Sequence, residues 1–275
     1  MNKLSTFSLS CVLVATSLGL FSCEDSENTP ATQEDGRPSA LNDGVQAYYF
    51  TYEDQRLSSI QERDGASQTF KYVNNELTTL ETLPPKGVAD GSGFTLFKKK
   101  DEHLIRVESC GEPSLDMQYV EEISLDENGL PLKITDAGIF RHTGEGSTLL
   151  EKGRSYSTFT IDPSTKNLLK LETYSLEDST LIESYAYTYD SQSGITSQVD
   201  CPAWFPYYWS YRHSYSYDSS NILFLNHINN VIEITHENPQ EPKTVTVTYA
   251  YTYNSNQFPI KIKENSNGKN TDITY

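Results

Sequence analysis

A tyrosine-rich repeat constrains this chain more than any other feature. Seven segments share one pattern: an aromatic or apolar residue, any residue, then Tyr, Leu or Ile, often followed by Asx or Glu. A short polar run comes next, then Leu or Ile with a second apolar residue three places on. The segments begin at Phe50, Phe70, Ile123, Phe159, Tyr187, Tyr215 and Tyr251. Self-similarity of this kind marks a chain built from one supersecondary unit used many times. Each unit has the physics of a β-hairpin. In Tyr185-Ala186-Tyr187-Thr188-Tyr189 the period is two, so the rings share one face and small or polar residues take the other. The Asx or Glu after the second ring starts a turn by bonding backbone amides. Asn128-Gly129 supplies the positive φ that a tight hairpin loop requires.

Further strand-like runs lie between the units, at Thr95–Phe97, His103–Val107 and Lys243–Tyr253. Residues 83–93 are expected to form a loop, and residues 221–234 fit either a short helix or a strand. The expected fold is all-β, an antiparallel meander of repeated hairpins. A sheet with this many strands must curl, split or close, since open edges invite pairing with other chains. A barrel or strongly curved sheet is therefore the first expectation and a sandwich the second.

The N-terminus is an address. Residues 1–22 carry Lys3 and then an apolar run from Cys11 to Leu20, too short to span a bilayer and patterned as a secretory signal. Leu20-Phe21-Ser22-Cys23 resembles the lipobox of bacterial lipoproteins, which implies cleavage before Cys23 and lipidation of that residue. Two or more acyl chains give stable anchoring where one does not. Glu24-Asp25-Ser26-Glu27 resembles the surface-export signal of Bacteroidota-type lipoproteins. Residues 23–44 have almost no apolar side chains and read as a flexible acidic tether, leaving 45–275 as a single all-β domain. Cys110 and Cys201 remain as either a disulfide or two free thiols.

The Tyr-x-Tyr-Asp hairpins resemble the YD (RHS-type) repeat. Together with the lipobox, tether and chain length, they resemble a Bacteroidota surface lipoprotein family of unknown function with a porin-like fold. That resemblance implies a fold and an outer-membrane, cell-surface location, and lends no catalytic residues. A membrane-spanning barrel needs an apolar outward face, whereas here the positions opposite the rings are Thr, Ser, Lys and Glu. Rings facing outward would leave a wet lumen, and rings facing inward would make a soluble barrel with an aromatic core. The acyl anchor favours the second, because a spanning barrel would not need it.

The charge balance, 38 Asp and Glu against 21 Lys and Arg for a net charge of -17, argues against nucleic acid, whose phosphates need a basic face. The sequence carries no HExxH, GxSxG, P-loop or GxGxxG motif, its five histidines are scattered singly, and its adjacent acid pairs would point to opposite faces of a strand. No enzyme activity, cofactor or metal is expected. One segment stands apart: Trp204, Phe205, Tyr207, Tyr208, Trp209 and Tyr211 cluster between and after two prolines and include both tryptophans. Flat rings exposed there would stack on a glycan or a hydrophobic protein partner; buried, they would plug the barrel interior. The expected function is a surface-anchored ligand- or glycan-binding module, with a structural component of an outer-membrane complex as the alternative.

Overall fold

The computed structural model describes residues 36–88, 91–111, 116–143, 146–214, 217, 221–241 and 243–275. The signal segment, Cys23 and the tether up to residue 35 lie outside the described residues, as does most of the sixth repeat at Tyr215. The strands are β1 (Ala40–Asn42), β2 (Ala47–Glu53), β3 (Arg56–Glu62), β4 (Ser67–Val73), β5 (Glu76–Leu83), β6 (Gly93–Asp101), β7 (Leu104–Gly111), β8 (Met117–Leu125) and β9 (Pro131–Thr143). They continue with β10 (Gly146–Lys152), β11 (Ser155–Ile161), β12 (Leu168–Ser175), β13 (Leu181–Ser193), β14 (Asn229–Glu237), β15 (Val245–Tyr253), β16 (Pro259–Glu264) and β17 (Asn270–Thr274).

Every neighbouring pair is antiparallel, and each strand pairs with the next in sequence except at one place. There β10 and β11 follow one another along a single edge of β9, β10 against Gly138–Thr143 and β11 against Lys133–Thr135. The kink between them needs Gly153, where a Cβ would sit 1.8 Å from the carbonyl oxygen of Asp136. Counted as one position, β10 and β11 make a closed ring of 16 strands. An alternating ring closes only on an even number. The closing strand is β1, which pairs with β17 on one side and β2 on the other. It falls inside the stretch expected to be tether: Ala40 and Leu41 are buried, so the ordered barrel begins before residue 45.

The hairpin physics holds at the turns. Asp54 and Gln55 have φ of 49° and 72°, and Asn74 and Asn75 have 50° and 69°. Both central residues are left-handed, the geometry that matches strand twist in a two-residue turn. At longer turns the Asx side chain accepts from the backbone, as Asp126 does from Asn128 and Leu130, both at 2.8 Å. Asn254 does the same for Asn256 and Phe258, both at 3.0 Å. The sixth repeat is different: Ile222 lies in a turn that leads into a 3-10 segment, Phe224–Asn226, before the strand resumes at β14.

The second ring of a unit also latches its neighbour. Tyr72 donates to the Leu57 carbonyl at 3.2 Å, and Tyr189 to the Leu168 carbonyl at 2.9 Å. Each hydroxyl thus satisfies a backbone group at the bulge of the preceding hairpin, where the ladder is interrupted.

The rings face inward. Phe50, Phe70, Phe97, Tyr185, Tyr187 and Tyr249 are all buried in one continuous core. The alternate positions form a polar outer wall. Lys71 pairs with Glu81, and Lys98 with Glu108. Arg106 bonds Glu108 at 2.9 Å and lies 3.7 Å from Glu122. Lys170 pairs with Glu172 at 2.7 Å and Lys261 with Asp272 at 3.3 Å. Lys98, Lys99 and Lys100 form the charged end of β6.

Candidate functional site

A ring of 16 strands is too wide for wall side chains alone to fill it. The described residues between β13 and β14, 194–214, 217 and 221–228, fill it here. Their centre is α1 (Phe205–Arg212), which starts with Pro206 in its first turn, where a missing N–H costs nothing. All residues from Phe205 to Ser210 are buried, on every side of the helix, and only its last turn, at Arg212, reaches solvent.

The structure brings the six aromatic residues of the segment together, inside the barrel. Trp204, Phe205, Tyr207, Tyr208 and Trp209 are buried, at 2–7% exposure, and Tyr211 is half-buried against the same core. An exposed stacking platform is therefore not what they form: they pack as a plug. Phe205 meets Phe70 edge-on at 5.9 Å and Phe224 at 5.1 Å. Phe97 of β6 takes Trp204 at 5.1 Å and the edge of Tyr208 at 5.5 Å.

Polar ties hold the plug on several sides. The Glu121 carboxylate of β8, wholly buried, accepts from Tyr211 at 2.8 Å, Tyr208 at 3.3 Å and Arg212 at 3.4 Å. Burial raises its pKa, and Arg212 and the two hydroxyls offset only part of that. Tyr207 donates to the Lys166 carbonyl at 2.6 Å, and Arg56 pairs with Asp200 at 3.1 Å. His227 Nδ1 donates to the Thr196 carbonyl at 3.0 Å, and burial holds that histidine below its ordinary pKa. Cys110 and Cys201 are free thiols, and burial pushes Cys201 up to about 12, which leaves it protonated and unreactive. Among the described residues no cluster of acids, histidines and cysteines could hold a metal ion.

A cavity of about 140 Å³ lies between α1 and the wall. Phe50, Ile60 and Leu223 give it apolar sides; Tyr48, Glu62, Gln68 and Asn221 give it polar ones. Trp209 and His213 close it, their rings stacked 4.2 Å apart at 22°. His213 Nδ1 donates to the Trp209 carbonyl at 2.9 Å, which leaves Nε2 as an acceptor, and burial keeps the ring neutral by lowering its pKa. Burial and then Asp64 raise the pKa of Glu62. Two of the lining side chains, Trp209 and Gln68, carry a polar atom (Nε1 and Oε1) that is closed off from the cavity and has no hydrogen-bond partner among the described residues. A larger depression, about 620 Å³ over Thr51, Ser59, Thr69 and Lys71, has no such atom among its lining residues. Neither the plug helix nor the cavity is visible in the sequence as a motif. The signal that was present is the density of rings around Pro202 and Pro206, which marks the place but not the direction the rings face.

No protein-family model matches the chain, and no curated protein sequence does. Among solved structures it is similar to a porin-like protein from Bacteroides vulgatus ATCC 8482, at 12% identity over 87% of this chain and 98% of that one, with a TM-score of 0.38. It is also similar to a porin-like protein from Bacteroides uniformis ATCC 8492, at 13% identity over 89% and 98%, with a TM-score of 0.39. A third likeness is to the crystal structure of TcdB2-TccC3-Cdc42, at 11% identity over 82% of this chain and 13% of that one, with a TM-score of 0.29. The barrel assignment rests on this chain's own strand pairings.

Proposed function

We propose that the chain is a non-enzymatic binding module, anchored to the outer membrane through acyl chains on Cys23, with its barrel in water at the cell surface. The observation that carries this reading is the charged outer wall. A membrane-spanning barrel presents an apolar band about 25 Å tall, and each Lys or Arg at its midplane costs about 2–4 kcal/mol. Here Lys71, Lys98, Arg106 and Lys170 stand within strands on the outward face, each paired to an acid beside it. The filled lumen agrees, since a barrel packed with rings conducts nothing. The buried acid and the neutral histidines are engaged in holding the plug, which supports binding of a glycan or protein partner over turnover.

The test is fractionation of the full chain. Wild type is expected in the membrane pellet, accessible to external protease, and silent in planar bilayers. Cys23→Ser is expected to move the protein to the soluble fraction with its fold unchanged. Retention of that variant as an integral membrane protein, or ion conductance, would refute the reading.

A second reading, as a component of an outer-membrane assembly, is favoured by β10. That strand pairs with β9 alone, is exposed along its whole length, and carries Leu149 and Leu150 at 43% and 46% exposure. Recovery of a stoichiometric partner from membranes, lost on Leu149→Lys, would favour it.

A further inference from the structure

We propose that the cavity between α1 and strands β2–β4 binds a primary alkylammonium group, with its charge on Glu62 and its chain against Phe50, Ile60 and Leu223. The inference rests on the binding-module reading above and gives it a site and a ligand chemistry. Strand register arranges the wall of the cavity in two layers. Phe50, Ile60 and Gln68 stand opposite one another across β2, β3 and β4. Tyr48 and Glu62 face each other two residues farther from the Asp54–Gln55 turn, and alternation turns them inward like Phe50 and Ile60. The plug adds buried Trp209 and Leu223, and half-buried His213 and Asn221. The cavity is thus apolar at one end, with a polar collar that carries one acid.

Glu62 leaves that collar electrically incomplete. Its carboxylate has no hydrogen-bond or ion-pair partner among the described residues, and unlike Gln68 Oε1 it is not closed off. No Lys or Arg is among the described lining residues. The adjacent Arg63 is engaged elsewhere, donating to the Gly44 and Val45 carbonyls and to Asn42 Oδ1 at 3.3, 3.2 and 3.1 Å. Burial and Asp64 raise the pKa of Glu62, and no base offsets them. A cationic ligand supplies the missing charge, and an anionic one is repelled. A primary ammonium has three donors and no acceptor, and Tyr48 and Asn221 carry oxygens for the donors that Glu62 leaves over. A quaternary ammonium needs an open ring face, but His213, Phe70, Phe205 and Phe224 enclose the Trp209 ring. The volume limits the chain: a cavity of roughly 150 Å³ in another protein holds a benzene ring, so about 140 Å³ suits a butylammonium. That is also the chemistry of a lysine side chain, so the source is either a free amine or a lysine of a protein partner.

Butylammonium, 1-butanol and butyrate share a chain and differ in charge. Each is titrated calorimetrically into the full chain in detergent at pH 7.5, while 15N-indole labelling follows the two tryptophans, assigned with Trp204→Phe. Butylammonium is expected to bind about tenfold more tightly than the other two. It is also expected to move the Trp209 signal and not that of Trp204, which is not among the lining residues. From ethylammonium to butylammonium the affinity should rise about fourfold per carbon. Glu62→Gln, of the same size and half-buried, is expected to weaken butylammonium about tenfold and leave butanol unchanged. Glu53→Gln removes the same charge outside the cavity and is expected to change nothing. Nα-acetyl-lysine methylamide separates the two sources: binding like that of butylammonium assigns a partner's lysine, and exclusion assigns a free amine. Butanol or butyrate binding as tightly as butylammonium overturns the charge assignment. A Trp209 signal that stays still, equal losses in the two glutamine variants, or no binding at all overturns the site. The binding-module reading stands through each of these results, and falls only if the Cys23→Ser chain stays integral to the membrane or the protein conducts ions.

Discussion

Removing Arg212 tests how the plug is held. The Glu121 carboxylate has no exposed surface, and its one cationic partner among the described residues is the Arg212 guanidinium at 3.4 Å. At that separation Coulomb's law with an effective dielectric of about 20 gives about 5 kcal/mol. The Arg212 side chain is 40% exposed, so solvent screening cuts this to about 2–3 kcal/mol. Arg212→Met keeps most of the aliphatic stem and leaves the acid buried with only the two tyrosine hydroxyls. At pH 8, where the carboxyl must ionise or take up a proton, the variant is expected to lose about 2–3 kcal/mol. Burial already places the folded pKa of Glu121 above its ordinary 4.5. The group therefore contributes its full share of stability below about that value and loses it as pH rises through the raised folded value. Taking away Arg212 raises the folded value further, so at pH 4, with the acid protonated in both states, the cost should shrink below about 1 kcal/mol. Glu121→Gln removes the charge and keeps an acceptor for Tyr211, and should cost less at pH 8 than Arg212→Met. Urea unfolding at the two pH values, followed by near-ultraviolet circular dichroism, measures each term. Equal loss at both pH values for Arg212→Met would show that it does not compensate a buried charge. A larger loss for Glu121→Gln would refute the same point from the other side.

Phe205→Ala, which empties a fully buried ring site between Phe70 and Phe224, should cost about 3–5 kcal/mol in the same unfolding assay. Tyr72→Phe and Tyr189→Phe each remove one hydroxyl-to-carbonyl latch between hairpins, and should each cost about 1 kcal/mol and add in the double variant. Gly153→Ala should shift the unfolding midpoint well below that of wild type, because its Cβ would overlap the Asp136 carbonyl. Burial alone would raise Glu108, but Lys98 and Arg106 hold it below its ordinary 4.5. Its contribution is present above about that value and lost as pH falls, so Glu108→Gln should flatten the acid limb of a stability curve measured from pH 6 to pH 3.

The wall was legible because its rules are local. Alternation at Tyr185–Tyr189 places every second ring on one side whatever lies beyond, and an Asx side chain bonds amides two to four residues away without help from the rest of the fold. The end of β5 at Leu83 and the strands around Thr95, Val107 and Tyr253 follow from the same short-range chemistry. What failed was non-local. β1 has only three residues and no repeat signature, and it is a strand because β17 and β2 each offer it an edge. The latch from Tyr72 to Leu57 is likewise invisible, because it depends on which hairpin lies alongside. The helix α1 escaped because it shows no amphipathic period. From Phe205 to Ser210 the helix is buried on every side, so the alternation of wet and dry positions by which helices are recognised is missing there.

The plug itself follows from closure by elimination. A closed barrel whose inward face is ringed with Phe and Tyr cannot leave its lumen open, because aromatic surface of that extent facing water would outweigh the gain from folding the wall. Wall side chains reach too short a distance to meet across 16 strands. The filler must come from chain that the hairpins do not use, and the longest such stretch among the described strands runs between β13 and β14. It must be rich in large apolar side chains and must carry its own hydrogen bonds, which a helix does and an extended segment does not. Residues 205–212 meet both conditions, with two prolines nearby to keep the chain from joining the sheet. Inward rings and one aromatic insert are thus parts of a single requirement, and rings turned outward would remove the need for the insert, whereas the even strand count follows from antiparallel closure alone.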